Sequence, residues 1–235
     1  MTKVFLGLIV AYLCLSLYQN RRDEDPGKER PSVPGYVIQS LLFLFACYYA
    51  WTTGVIGREL VHPGYIILGL IVGHIVFALS CVVTQGSLYY LKGHVLNLAP
   101  LRAFYKENPD LILRIGSIAF CEEIIYRVAA QPLAIEATSS ALLGVLLVAV
   151  AFSVIHWHFF RNSVLESAEF VGFALLLGVL YYVTENLTFV VLVHAVRNLE
   201  IVFLEYLVEL EETGDPEAAQ AAIEREYAPR GMQQA

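Results

Sequence analysis

The sequence predicts an all-α integral membrane protein, a polytopic bundle of about seven transmembrane helices. Three observations carry that expectation. Hydrophobic residues fill 57% of the 235 positions and charged residues only 16%, with a mean hydropathy of +0.61; a soluble domain carries about 25% charge. The apolar residues gather in successive blocks of bilayer length rather than being scattered. Inside those blocks the few charged and polar side chains fall into short groups, and ionisable groups in a bilayer core are normally retained for a job.

The first block, about 3–19, reads as an uncleaved anchor, because no small-x-small cleavage site follows and Asn20-Arg21-Arg22 closes it. The second, about 36–56, is interrupted near its end by Thr52, Thr53 and Gly54. The third, about 63–83, carries Gly69-x-x-x-Gly73, a spacing suited to close helix packing. A polar connection follows over 85–110. There Tyr89, Tyr90, Leu91, Val95, Leu96 and Leu98 alternate with Lys92, His94 and Asn97, and Pro100 ends the segment. It reads either as an interfacial amphipathic stretch or as a loop with aromatic belt residues. The remaining spans are about 111–130, 140–160, 167–184 and 187–208. Residues 1–209 thus form one transmembrane domain without internal repeats, and 210–235 a cytoplasmic tail, either a solvated helix or disordered.

Orientation follows the Lys/Arg bias. One side receives Arg21, Arg22, Lys28, Arg30, Lys92, Arg102, Lys106, Arg161, Arg225 and Arg230, the other only Lys3 and Arg58. That bias places the N-terminus outside and the C-terminus in the cytoplasm; no compartment signal beyond membrane insertion is visible, so a plasma or inner membrane is preferred and an endoplasmic reticulum membrane stays open. Much of the net charge of −7 lies in 21–30 and the tail, and no basic patch offers a nucleic-acid surface. Cys14, Cys47, Cys81 and Cys121 all lie in apolar blocks without CxxC pairing, so they read as buried small hydrophobes.

Three constellations carry chemistry: Glu122-Glu123-x-x-x-Arg127, Phe152-x-x-x-His156 and His194-x-x-x-Asn198. Glu123 and Arg127 share a helix face, and an ion pair is the economical way to keep both in the membrane. Glu122 is rotated about 100° away and is left for a cavity, where a buried carboxylate suits general-base work. Tyr126, four residues beyond Glu122, is placed to hydrogen-bond it. Phe152 would wall the imidazole of His156 from water. His194 and Asn198 share a face and can both donate hydrogen bonds to a developing oxyanion; interhelical polar bridging is the bland alternative. Neighbouring Arg197 could pair with Glu200 or meet a substrate carboxylate. Two carboxylates, two histidines, an arginine and an asparagine are the parts of an intramembrane hydrolase.

These residues resemble the CPBP family, the CAAX-protease and bacteriocin-processing membrane proteins also called Abi, whose pattern is EExxxR, FxxxH and HxxxN on successive helices. The resemblance covers about 111–208. It implies peptide-bond hydrolysis without a covalent intermediate, with Glu122 and His156 activating water, His194 and Asn198 as the oxyanion hole, and Glu123, Arg127 and Phe152 in support. The implied partner is a membrane-anchored or lipidated protein or peptide cut near its C-terminus, in contact with membrane lipids; no cofactor or metal is expected. Glu122 and His194 fall at about mid-depth of a ~30 Å core, His156 nearer the cytoplasmic surface.

Other readings stay open. A zinc protease could use Glu122, His156 and His194, although there is no HExxH and Asn198 is no natural ligand. A Cys121 nucleophile lacks a helical partner to deprotonate it. A non-catalytic scaffold or immunity protein would not need both oxyanion donors, and a transporter would show paired broken helices. Substrate identity and oligomeric state are not legible.

Overall fold

In the computed structural model the described residues are 2–22, 33–55, 62–85 and 97–227, and every regular element among them is helical. The helices are α1 (Thr2–Arg22), α2 (Val33–Thr52), α3 (Pro63–Gln85), α4 (Leu98–Glu107), α5 (Pro109–Glu123), a π-helical segment (Ile124–Ala130), α6 (Gln131–Thr138), α7 (Ala141–Ile155), a 3-10 turn (Trp157–Phe160), α8 (Val164–Thr184), α9 (Leu187–Thr213) and α10 (Pro216–Tyr227). Among the described residues four stretches are long and apolar enough to cross a membrane: Pro34–Thr52, Pro63–Thr84, Val164–Thr184 and Leu187–Thr213. Val4–Tyr18 and Ala141–Ile155 are shorter apolar helices. Large apolar side chains such as Leu44, Trp51, Ile71, Leu142, Leu147 and Val183 are exposed on these helices. That surface suits lipid rather than water, and the protein is an integral membrane protein.

Several boundaries differ from the sequence expectation. The fifth span does not run to 160: α7 stops at Ile155, and His156 leaves the helix with φ −79° and ψ 121°. The fourth starts at Pro109, widens into the π segment at Ile124 and continues to Thr138. Pro100 does not end a segment; it sits in the first turn of α4, where a missing N–H costs nothing, behind the Asn97 cap. Residues 86–96 lie outside the described residues, so the expectations for Tyr89 to Leu96 do too. Of the four cysteines only Cys81 is buried; Cys47 and Cys121 are half-buried and Cys14 is exposed on α1.

The chain forms two compact units, Met1–Gly69 with Ala119–Val191 and Leu70–Ile118 with Leu192–Ala235. In the first, α1 packs on α2 and α7, α2 on the π segment, and α7 on α6 and α8. Phe5 is wholly buried and stacks on Phe45 at 4.5 Å. Ser139 turns the chain between α6 and α7 in the left-handed region, φ 52°, and the Ser140 hydroxyl caps α7 by accepting from Leu143 N. Gly144 makes this hairpin possible, since a Cβ there would lie 2.6 Å from the backbone nitrogen of Ile135. Helix α8 begins with a reciprocal capping box between Ser163 and Glu166.

In the second unit Phe104, Leu111, Ile115, Val202, Phe203 and Ile223 form one apolar cluster. The tail is therefore not wholly solvated: α10 buries Ala219 and Ile223, and its Tyr227 hydroxyl donates to Glu205 at 2.5 Å. Tyr105 on α4 donates to the Leu199 carbonyl at 2.6 Å. Burial, reinforced by the carboxylates of Glu200 and Glu205, raises this phenol above its ordinary range and keeps it a donor. Gly73 of α3 lies against Val193 and Val196 of α9, where a Cβ would come within 2.7 Å of Val196 Cβ.

Gly144→Ala should lower stability by about 1–3 kcal/mol, because the clash is with backbone. Gly172→Ala, with nothing within 4 Å of its added carbon, should leave the thermal midpoint of the detergent-purified protein unchanged or slightly raised. Equal midpoints for the two variants would contradict the close α6–α7 approach.

Candidate active site

The first constellation sits where α5 gives way to the π segment. All seven residues Ile124–Ala130 are buried, and Gln131 N–H reaches back to the Tyr126 carbonyl, the wider repeat of a π turn. Arg127 Nε donates to Glu123 Oε2 at 3.1 Å, with both side chains at 0% exposure. The guanidinium also lies over the Phe152 ring, 5.4 Å from its centre. Gln131, one turn on and equally buried, donates from Nε2 to the Gly178 carbonyl at 2.9 Å.

Glu122 faces a different partner. Its Oε1 lies 3.5 Å from His156 Nε2, and the two side chains keep 18% and 21% exposure. His156 gains its position from the end of α7. A helix terminus leaves its last carbonyls without backbone donors. His156 N–H turns to Ser153 O, and the carbonyl of Phe152 accepts from His156 Nδ1 at 2.6 Å. A carbonyl only accepts, so Nδ1 carries the hydrogen and a neutral imidazole presents Nε2 as a base. Two acceptors, Nε2 and the Glu122 carboxylate, then face one another and need a shared proton or a donor such as water between them.

Aromatic rings hold the imidazole. Phe152 lies 4.6 Å from His156, Phe170 of α8 meets it edge-on at 5.1 Å, and Tyr126 meets Phe152 edge-on at 5.1 Å. Phe152 thus touches both the structural arginine and the imidazole. The structure gathers the first two motifs, Glu122, Glu123, Arg127, Phe152 and His156, in one unit. Phe170 and Gln131 join them without any motif to announce them; an aromatic within a lipid-facing helix carries no distinguishing spacing. The His158 side chain lies outside the described residues.

His194 and Asn198 belong to the other unit, four residues apart on α9, with His194 2% exposed and Asn198 half-buried. Arg197 Nη1 donates to Asn198 Oδ1 and its Nε to Ser80 Oγ, each at 3.4 Å. Glu200, one partner the sequence offered to Arg197, is engaged by His74, whose Nδ1 lies 2.8 Å from Oε1. Among the described residues no three His, Cys, Asp or Glu side chains gather as a metal ion would require.

Arg127→Met would leave the Glu123 carboxylate buried without its cation and should cost about 3–5 kcal/mol. The double change Glu123→Gln with Arg127→Met should recover part of that loss in thermal unfolding. Additive losses would mean that the two groups are not coupled.

Residues 108–199, a span that includes all three constellations, match the family described as type II CAAX prenyl endopeptidase Rce1-like. No curated protein and no solved structure is matched by the chain. From Asn108 to Leu199 the chain is therefore similar to the Rce1-like CAAX-protease family, in the segment that carries its three motifs.

Proposed function

We propose that the protein is a glutamate-dependent intramembrane endopeptidase that hydrolyses a peptide bond near the C-terminus of a membrane-anchored or lipidated protein. The observation that carries this reading is the Glu122–His156 pair, 3.5 Å apart with the imidazole oriented by the Phe152 carbonyl, inside the matched segment. Glu122 and Nε2 of His156 together take a proton from water, whose oxygen forms the new bond to the scissile carbonyl carbon. The carbonyl π electrons move to oxygen, and donors from His194 and Asn198 stabilise that oxyanion. Collapse of the tetrahedral intermediate breaks the C–N bond, and the proton held by the Glu122–His156 pair passes to the leaving amine. Phe152 and Phe170 keep bulk water from the imidazole, and Glu123 with Arg127 holds the helix on which Glu122 sits.

The N-terminus lies outside and the C-terminus in the cytoplasm, an orientation that the Lys/Arg bias supports. Substrate is then a protein already held at the same membrane by a lipid or a helix, and the family description supports a prenylated tail as the first substrate to try.

The test compares C-termini across the membrane proteomes of cells expressing wild type or Glu122→Ala. C-terminal trimming seen only with wild type is expected. Identical termini, with a cellular phenotype that Glu122→Ala still rescues, would favour a non-catalytic scaffold instead. In purified protein, His194→Ala should lower turnover by at least ~100-fold while the protein still inserts and purifies. A strong chelator should leave turnover intact, and loss restored by zinc would install a metal mechanism in place of this one.

A further inference from the structure

We propose that Arg197 is a positioning residue that fixes which end of the Asn198 amide is offered to the substrate, an inference that rests on the reading of Asn198 as an oxyanion donor. A primary amide is nearly symmetrical in shape, and a half-turn about its last bond exchanges an NH2 donor for a carbonyl acceptor. In an oxyanion site the wrong half-turn sets a lone pair against developing negative charge. Asn198 therefore needs a neighbour that recognises its oxygen.

Arg197 has that property. Its guanidinium carries donors only and stays charged at any working pH. Nη1 meets the amide of Asn198 at 3.4 Å, so the atom it touches is Oδ1 and the NH2 is turned the other way. The guanidinium is itself braced: Arg197 is 6% exposed, and its Nε donates to the Ser80 hydroxyl of α3. Helix α3 is held to α9 at two further points, the Gly73 contact with Val193 and Val196 and the His74–Glu200 hydrogen bond. A strut runs from α3 through Arg197 to the Asn198 amide. Lysine could not reproduce it fully, since Arg197 uses two different nitrogens for Ser80 and Asn198.

The experiment is a double-mutant cycle on the full-length protein in liposomes, with a quenched fluorescent peptide ending in farnesyl-cysteine and three further residues. Asn198→Ala should lower kcat by ~100-fold or more. Arg197→Met should lower kcat about tenfold with KM unchanged, and should have no further effect on Asn198→Ala. The same fall in both backgrounds, or a raised KM with kcat intact, would overturn the positioning role. Full kcat in Asn198→Ala would instead remove the oxyanion reading beneath it. A substrate-independent arm follows the side-chain amide signals of Asn198 by NMR, assigned by their loss in Asn198→Ala. They should move strongly in Arg197→Met and less in Arg197→Lys; unmoved signals in Arg197→Met would also overturn the inference.

Discussion

Taking a guanidinium and a carboxylate wholly out of water costs several kcal/mol for each ion, and Glu123 and Arg127 both stand at 0% exposure. Neither charge could remain there alone. Their 3.1 Å contact, with the Phe152 ring against the guanidinium, lets both stay buried. It fixes the helix at the point where α5 widens into the π segment, a stretch buried on every side. Because Glu123 is committed to Arg127, its neighbour Glu122 is turned towards His156. Two identical side chains, adjacent in sequence, thereby meet opposite environments.

The same economy appears at the end of α7. Had the helix continued, His156 N–H would have taken the Phe152 carbonyl, and the imidazole would have lost the acceptor that sets its tautomer. Termination at Ile155 releases that carbonyl for Nδ1. The Phe152 ring meanwhile stands against both Arg127 and His156. One residue couples the buried ion pair to the proposed base, which is a physical reason for a large aromatic one turn before the histidine. In the other unit a comparable arrangement surrounds α9, where Ser80 and Arg197 bear on Asn198 and His74 engages Glu200.

The helical class was legible because lipid-facing and core residues are both apolar, so whole spans declare themselves by length. The Glu123–Arg127 pairing was legible from spacing and cost together, since one helical turn is the shortest route to neutralising either charge. What spacing cannot report is a change of helix type. The π segment at Ile124 and the early end of α7 reflect tertiary packing that leaves the residue pattern unaltered. The tail was legible in part: Glu211, Glu212 and Asp215 make it read as solvated, while Ile223 buries in the cluster with Phe203 and Ala219 is buried beside it in sequence. The bracing of Asn198 through Arg197 and Ser80 joins residues 117 positions apart and leaves no local signature.

If Glu122 does chemistry while Glu123 keeps the fold, isosteric replacement of each separates the two roles. Glu122→Gln and Glu123→Gln would be purified side by side and measured for thermal midpoint and for turnover per folded molecule on one cleaved substrate. The two effects should cross. Glu122→Gln should melt like wild type and be inactive, whereas Glu123→Gln should melt lower and retain turnover in its folded fraction. A folded Glu122→Gln with wild-type turnover would remove Glu122 from the chemistry.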